Sequence, residues 1–254
     1  MRTINFSQIL TDAIQLCGLD VNLITTDTFK QFRDFANIRL KFVWEYDAFP
    51  DLIRFEYIAT TLVENDVNYV VKPANADIIL NVWNQNPNAT TRAINIGFTL
   101  VSTDTEDRLV FQKEYGDGVW IEYRKKCPSL TGTIWNTTTQ YNVGSQAYFD
   151  SGSNSGTLVS VDGKPYTANF YECLALNTNT NPSSTPANWR IIDIPYIFGP
   201  YISRAILADY LRSEGQFDSA QIAEGEAKFF LDTEIDKIVR QQSQMRQYNY
   251  IKTY

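Results

Sequence analysis

The side chains that could do chemistry are few and poorly placed for it. Asp104, Glu106 and Asp107 cluster in STDTED, residues 102–107. Carboxylates at that spacing can hold a divalent cation. A calcium loop, however, also needs a central Gly and a distal bidentate Glu, and this stretch has neither. It reads as a solvated turn. Glu224, Glu226 and Asp232 read as the charged, solvated face of a helix. GSNSG at 152–156 has Asn where a nucleophile elbow needs Ser. No GxGxxG or GxxxxGK[ST] occurs, so phosphate-loop chemistry has no support. The chain contains no His, which removes Ser-His-Asp and Cys-His catalysis and the commonest metal ligand. The expectation is a protein that is not an enzyme, with no catalytic residues, metal site or cofactor.

Two other groups suit recognition rather than reaction. Trp135, Tyr141, Tyr148, Tyr166, Tyr171 and Trp189 lie in a background of Asn, Thr, Ser and Pro. Exposed rings in such a setting stack on sugars or on protein surfaces. Trp135, Tyr166, Tyr171 and Trp189 are therefore candidate surface or glycan contacts; the competing reading is that these rings form the core of a small domain. The stretch MRQYNYIKTY, residues 245–254, carries Arg246, Tyr248, Tyr250, Lys252 and Tyr254 and no acidic side chain. It reads either as a frayed end or as a recognition arm that orders on a partner, with Tyr and Arg as anchors.

Composition narrows the class further. The chain has 254 residues and a net charge of −7, which argues against a nonspecific grip on nucleic-acid phosphates. Its three cysteines, Cys17, Cys127 and Cys173, lack CxxC spacing. They read as free thiols rather than as a disulfide framework or zinc site. No run approaches the ~18 apolar residues of a membrane span. The N-terminal stretch has Asp12 inside its apolar pattern and no small-residue cleavage site, so it is not read as a signal peptide. Synthesis and use in the cytoplasm, or in something assembled there, is expected.

The elements that must position these groups change character along the chain. Phe6, Ile9, Leu10, Ala13, Ile14 and Cys17 mark one face of a helix over 5–17, closed by Gly18. A second helix, with Thr26 or Asp27 as its cap, is expected to run to about Phe49, before Pro50. Its stripe is Phe29, Phe32, Ala36, Leu40, Val43 and Trp44, with Phe35, Phe42 and Tyr46 widening it. Residues 52–127 turn β-branched and aromatic and predict a small antiparallel sheet. STDTED is expected to be a turn, and GDG at 116–118 is expected to join a hairpin. Residues 135–194 hold six charged side chains in sixty, half the density of the whole chain. This shift predicts an independent inserted β-module, with TLVSV as one of its strands and Asp162-Gly163 at a hairpin. From Pro195 the pattern is helical. Phe198, Ile202 and Ile206 lie on one side and Tyr201, Ala205 and Ala208 on another, which predicts a helix buried on most faces. Gly215 breaks it. A last helix, capped by Asp218 or Ser219, runs through 220–247.

The expected fold class is α+β: N- and C-terminal helices in one bundle, a small antiparallel sheet, and a small all-β insert leaving and re-entering between Leu130 and Pro195. The expected domains are 1–134, 135–194 and 195–254.

With these elements in order, the chain resembles head-to-tail adaptor proteins of long-tailed bacteriophages. The resemblance is carried by TTDTFKQFRDFANIRLKFVWEYDAFPDLIR with its aromatic WE…P corner, by VWIEYRKKCP, and by IPYIFGPYISRAILADYLRSEGQFDSAQIAEGEAKFFLDTEIDKIVRQQ. The insert resembles a chitin-binding type carbohydrate-binding module through Trp135, Tyr141-Asn142-Val143-Gly144, Gly163-Lys164-Pro165-Tyr166, Tyr171-Glu172-Cys173, Pro182 and Asn188-Trp189. The resemblance implies a structural virion protein of the head–tail neck, assembled in the host cytoplasm as a twelve-fold homo-oligomeric ring beneath the portal protein. It implies that the C-terminal tail docks on the portal and that the lower face receives tail-completion or tail proteins. Genomic DNA would pass through without specific binding, and no membrane is involved. The alternative is a glycan-binding host-adsorption or capsid-decoration protein acting through residues 135–194.

Overall fold

The computed structural model describes residues 2–21, 24–47, 49–59, 62–64, 67–111, 118–151 and 167–250, and the side chains of all of these except 62–64, 67 and 241–250. Among the described residues the protein is mixed α+β, with four helices and several small sheets whose strands are antiparallel except for one pair. The chain divides into two compact units. One comprises Met1–Tyr46 and Pro128–Tyr254, the other Asp47–Cys127.

In the first unit, β1 (Thr3–Ile4) leads into α1 (Phe6–Leu16) and then α2 (Thr26–Tyr46). α1 buries Phe6, Ile9, Leu10, Ala13 and Ile14, the stripe that its 3.6-residue spacing predicts. The cap of α2 is Thr25, one residue before the expected pair: the Thr28 N–H donates to Thr25 Oγ1 at 3.2 Å. α2 ends at Tyr46, short of Phe49, and Pro50–Leu52 forms a separate 3-10 turn. The expected stripe of α2 is buried in full. Phe42 and Tyr46 are partly exposed.

The second unit holds β2 (Ile53–Ile58), β3 (Leu62–Glu64), β4 (Val67–Val71), β5 (Ala76–Trp83), β6 (Thr99–Ser102), β7 (Asp107–Phe111) and β8 (Val119–Lys125). These form two sheets rather than one, in the orders β2–β8–β5 and β3–β4–β7–β6. Val82, Ile121 and Tyr123 from the first sheet and Val70, Leu109 and Phe111 from the second share one core. STDTED is the turn of the β6–β7 hairpin, with Ser102 opposite Asp107. Gly116 and Asp117 lie outside the described residues; the strands on either side, β7 and β8, belong to different sheets and do not pair as expected. Gly118 (φ +82°) serves a close approach instead: a Cβ there would lie 2.2 Å from the Ile58 carbonyl oxygen.

The first unit resumes with β9 (Thr133–Ile134), β10 (Gln140–Tyr141), β11 (Gln146–Asp150), β12 (Ala168–Cys173), β13 (Asn177–Thr178), β14 (Trp189–Ile191) and β15 (Ile194–Pro195). α3 (Gly199–Ser213) and α4 (Phe217–Tyr250) complete it. The main sheet here has the order β14–β12–β11–β9, with β9 parallel to β11. Its strands are apolar on both faces, and both are covered. On one face Tyr148 and Phe170, directly opposite each other, pack on the helices. The Phe6 and Phe170 rings are 5.0 Å apart and the Phe29 and Tyr148 rings 4.9 Å. On the other face Ala147, Phe149, Tyr171 and Cys173 close a second small core with Tyr141 and Trp189. The β-lobe thus shares a core with α1 and α2 in one compact unit, where the composition shift pointed to an independent module. TLVSV and Asp162-Gly163 lie outside the described residues.

The chain enters and leaves this lobe at fixed points. The Leu130 N–H donates to Asn37 Oδ1 at 2.7 Å, and Asn37 Nδ2 donates back to the Leu130 carbonyl at 2.8 Å. An amide side chain on α2 therefore imitates a strand partner. At the other end β15 pairs with β1, Ile194 opposite Ile4.

Candidate assembly surfaces

α4 is the longest described element and carries three of the predicted contact residues, Arg246, Tyr248 and Tyr250. Its start is set by a tight turn from α3. Gly215 has φ +77°; its N–H donates to the Arg212 carbonyl and that of Gln216 to the Leu211 carbonyl. This double bond pattern ends a helix with one left-handed residue, which favours glycine. α4 then begins at Phe217, with the Ala220 N–H donating to the Gln216 carbonyl, so Gln216 takes the capping position expected of Asp218 or Ser219.

The near half of α4 is held in two ways. Ala220, Ala223, Ala227 and Leu231 are buried at spacings of three and four, and small side chains on one face let helix backbones approach closely. A charged cluster then ties three helices together. Arg39 of α2 donates through Nε to Asp209 of α3 at 2.6 Å and through Nη1 to Glu224 of α4 at 2.7 Å. Arg212 bonds both carboxylates, at 2.9 and 2.7 Å. Glu224 is thus an interhelix tie and not a solvated charge. Burial works against its ionisation, but hydrogen bonds from Arg39 and Arg212, and their charges, hold its carboxyl below the usual range. Burial likewise works against the charge of Arg39, and its two carboxylate partners outweigh that. The sequence signal for this tie was present: Arg39 falls inside the apolar stripe, between Ala36 and Leu40.

The far half of α4 is different. No side chain from Asp232 to Arg240 is buried, yet the helix continues to Tyr250. At 1.5 Å per residue, Asp232 to Tyr250 spans about 28 Å. Arg246, Tyr248 and Tyr250 belong to this helical stretch, which extends past the 220–247 expected for it. Lys252 and Tyr254 lie outside the described residues. Nearer the start, Ile222 and Phe229 stand two turns apart on one side of α4, each 67% exposed.

The predicted aromatic contacts of the β-lobe are placed elsewhere. Tyr171 and Trp189 are buried, and Trp189 Nε1 donates to the Thr180 carbonyl at 3.1 Å. The Trp189 and Tyr141 rings meet edge-on at 5.0 Å. Trp135 is half-buried, edge-on to Phe149 at 5.2 Å. These rings build the lobe's interior, so Tyr171 and Trp189 are not available to stack on a sugar. Tyr166 lies outside the described residues.

A surface that the sequence reading passed over lies on β2–β8–β5. Tyr57, Trp120 and Trp83 stand in one row across the three strands, on the side opposite Ile121 and Val82. The Tyr57 and Trp120 rings are 5.4 Å apart. Glu122 fixes the end of the row, accepting from Trp83 Nε1 at 3.2 Å and from Asn81 Nδ2 at 2.9 Å.

Among the described residues no cluster of three His, Cys, Asp or Glu side chains could hold a metal ion. Asp107 is instead engaged within its hairpin: Ser102 Oγ donates to it at 2.7 Å, and that bond and Lys72 hold its carboxyl low. Among the described residues no helix is long and apolar enough to cross a membrane. The sequence matches no known family model and no curated protein.

Proposed function

We propose that this chain is a structural virion protein, a head-to-tail adaptor that forms a ring beneath a portal and links capsid to tail. The observation that carries this reading is the division of α4. Its near half is locked to α2 and α3 by Arg39, Asp209 and Glu224, and its far half has no buried side chain from Asp232 to Arg240. A helix whose described side chains beyond Leu231 all stay at least partly exposed, with Asp232 held only at its start by the Tyr46 hydroxyl, is suited to dock on a partner. The tail residues Arg246, Tyr248, Tyr250, Lys252 and Tyr254 are of the types that anchor such contacts. The exposed Ile222 and Phe229 offer a further apolar contact. The net charge of −7 suits a conduit that lets DNA pass without gripping it.

The test is co-sedimentation and negative-stain imaging with cognate portal rings. The full chain is expected to add a ring to the portal's narrow end, and a chain ending at Arg240 is expected to stay unbound. Unchanged docking of the shortened chain would overturn the arm assignment. A full chain that ignores the portal would overturn the adaptor reading itself.

A further inference from the structure

β6 is a short edge strand of the sheet β3–β4–β7–β6, and no charge, Pro or register shift occurs along it. Proteins blunt such edges with Lys, Pro, bulges or covering loops. β6 reads Thr99-Leu100-Val101-Ser102, every residue of it is exposed, and no charge occurs from Ala93 to Ser102. The core is also unfinished here. Leu100 stands opposite Leu109, and directly opposite residues share a face of the sheet. Leu109 is fully buried in the core, while Leu100 is 50% exposed. The apolar layer runs out at β6, where one more strand would cover it.

The backbone phase identifies the free groups. The Thr103 N–H donates to the Glu106 carbonyl, and the Lys72 N–H donates to the Asp107 carbonyl on the β4 side. Hydrogen-bonded and non-bonded pairs alternate along an antiparallel ladder. Val101 and Thr99 therefore bond to β7, and the N–H and C=O groups of Leu100 and Ser102 point outward.

We propose that β6 is completed by β3 of a second copy of this chain, pairing head-to-tail. The sheet has four strands, all antiparallel neighbours, so its two edge strands run in opposite directions. Copies related by rotation about an axis along the strands then bring β6 against the neighbour's β3 in antiparallel alignment. The sheet continues from copy to copy without a break. A head-to-tail contact of this kind closes into a ring when the rotation allows it. Charge opposes the contact little on the β6 side: each copy carries −7, yet no charge occurs from Ala93 to Ser102, and β3 brings a single carboxylate, Glu64. The inference deepens the adaptor reading by naming the contact between copies, and rests on that reading for the ring's purpose.

The pairing is testable on the full chain without any portal, so its failure is distinct from failure of portal docking. Sedimentation velocity over a concentration series to about 100 µM is combined with amide hydrogen exchange. Wild type is expected to form species larger than a dimer, with exchange at Leu100 and Ser102 slowed on association by roughly 100-fold or more. Leu100→Pro removes only an outward N–H and is tolerated at such an edge. Leu100→Lys adds a charge there. Both are expected to stay folded, with unchanged exchange in β8 and α3, and to stay monomeric. A wild type that remains monomeric, stops at a dimer, or assembles with Leu100 and Ser102 exchanging freely overturns the proposal. So does assembly of either variant at the wild-type concentration.

Discussion

At the scale of single residues, the chemistry of this chain is cohesion. Arg39 is the clearest case: one guanidinium engages two carboxylates from two other helices. Removing one partner of a buried pair strands the remaining charges. Arg39→Ala is therefore expected to lower stability by about 3 kcal/mol, read from the urea midpoint. Arg212, far more exposed, is expected to cost less than about 1 kcal/mol on replacement by Ala. Equal losses would show that Arg39 is not the tie. Glu224 adds a pH dependence. Its folded pKa lies below the unfolded value near 4.3, so its stabilisation is complete above that value and is lost as pH falls through the folded one. Glu224→Gln is expected to lose less stability than wild type as pH falls below the unfolded value near 4.3; parallel decline would remove the pair from the account. Cys17 shows the inert side of the same physics. Burial pushes its thiol up to about 12, and it is expected to react with a maleimide at neutral pH at least about tenfold more slowly than a free cysteine.

At the scale of elements, the joints are the sensitive points. Gly215 ends α3 in a left-handed conformation, with open space where a Cβ would go. Gly215→Ala thus reports backbone cost alone, about 1 kcal/mol. A neutral substitution would mean that the turn relaxes. Asn37 is the other joint. Asn37→Ala removes both bonds to Leu130 and is expected to speed exchange of the Leu130 amide before global unfolding. Both joints bear on legibility. The glycine that ends α3 could be read from the sequence, because a break after an apolar run has a local cause. The role of Asn37 could not, because its partner is 93 residues away.

At the scale of the molecule, the boundaries fall where cores are shared, not where composition shifts. The core of Asp47–Cys127 draws its side chains from that unit, so this fragment is expected to fold alone and unfold cooperatively. Residues 135–194, which composition sets apart, are expected to stay unfolded in isolation. One face of their sheet rests on Phe6 and Phe29, and losing that cover exposes Tyr148 and Phe170. Circular dichroism and urea titration of both fragments decide it. A folded 135–194 would restore the autonomous module.

The sequence by itself determined what depends on near neighbours. The helical stripes of α1, α2 and α3, the STDTED turn, the glycine stop after α3 and the want of a catalytic motif all follow from residue type and spacing within a few turns. The tertiary structure alone decided what depends on distant partners. It drew Arg39 and Glu224 together over 185 residues and turned Tyr141, Tyr148, Tyr171 and Trp189 of the β-lobe inward. It also sent β7 and β8 to different sheets despite the Gly-rich link between them. Local patterns fix which face of an element is apolar. They do not fix which other face will cover it, since that choice is made by the whole chain's competition for buried area.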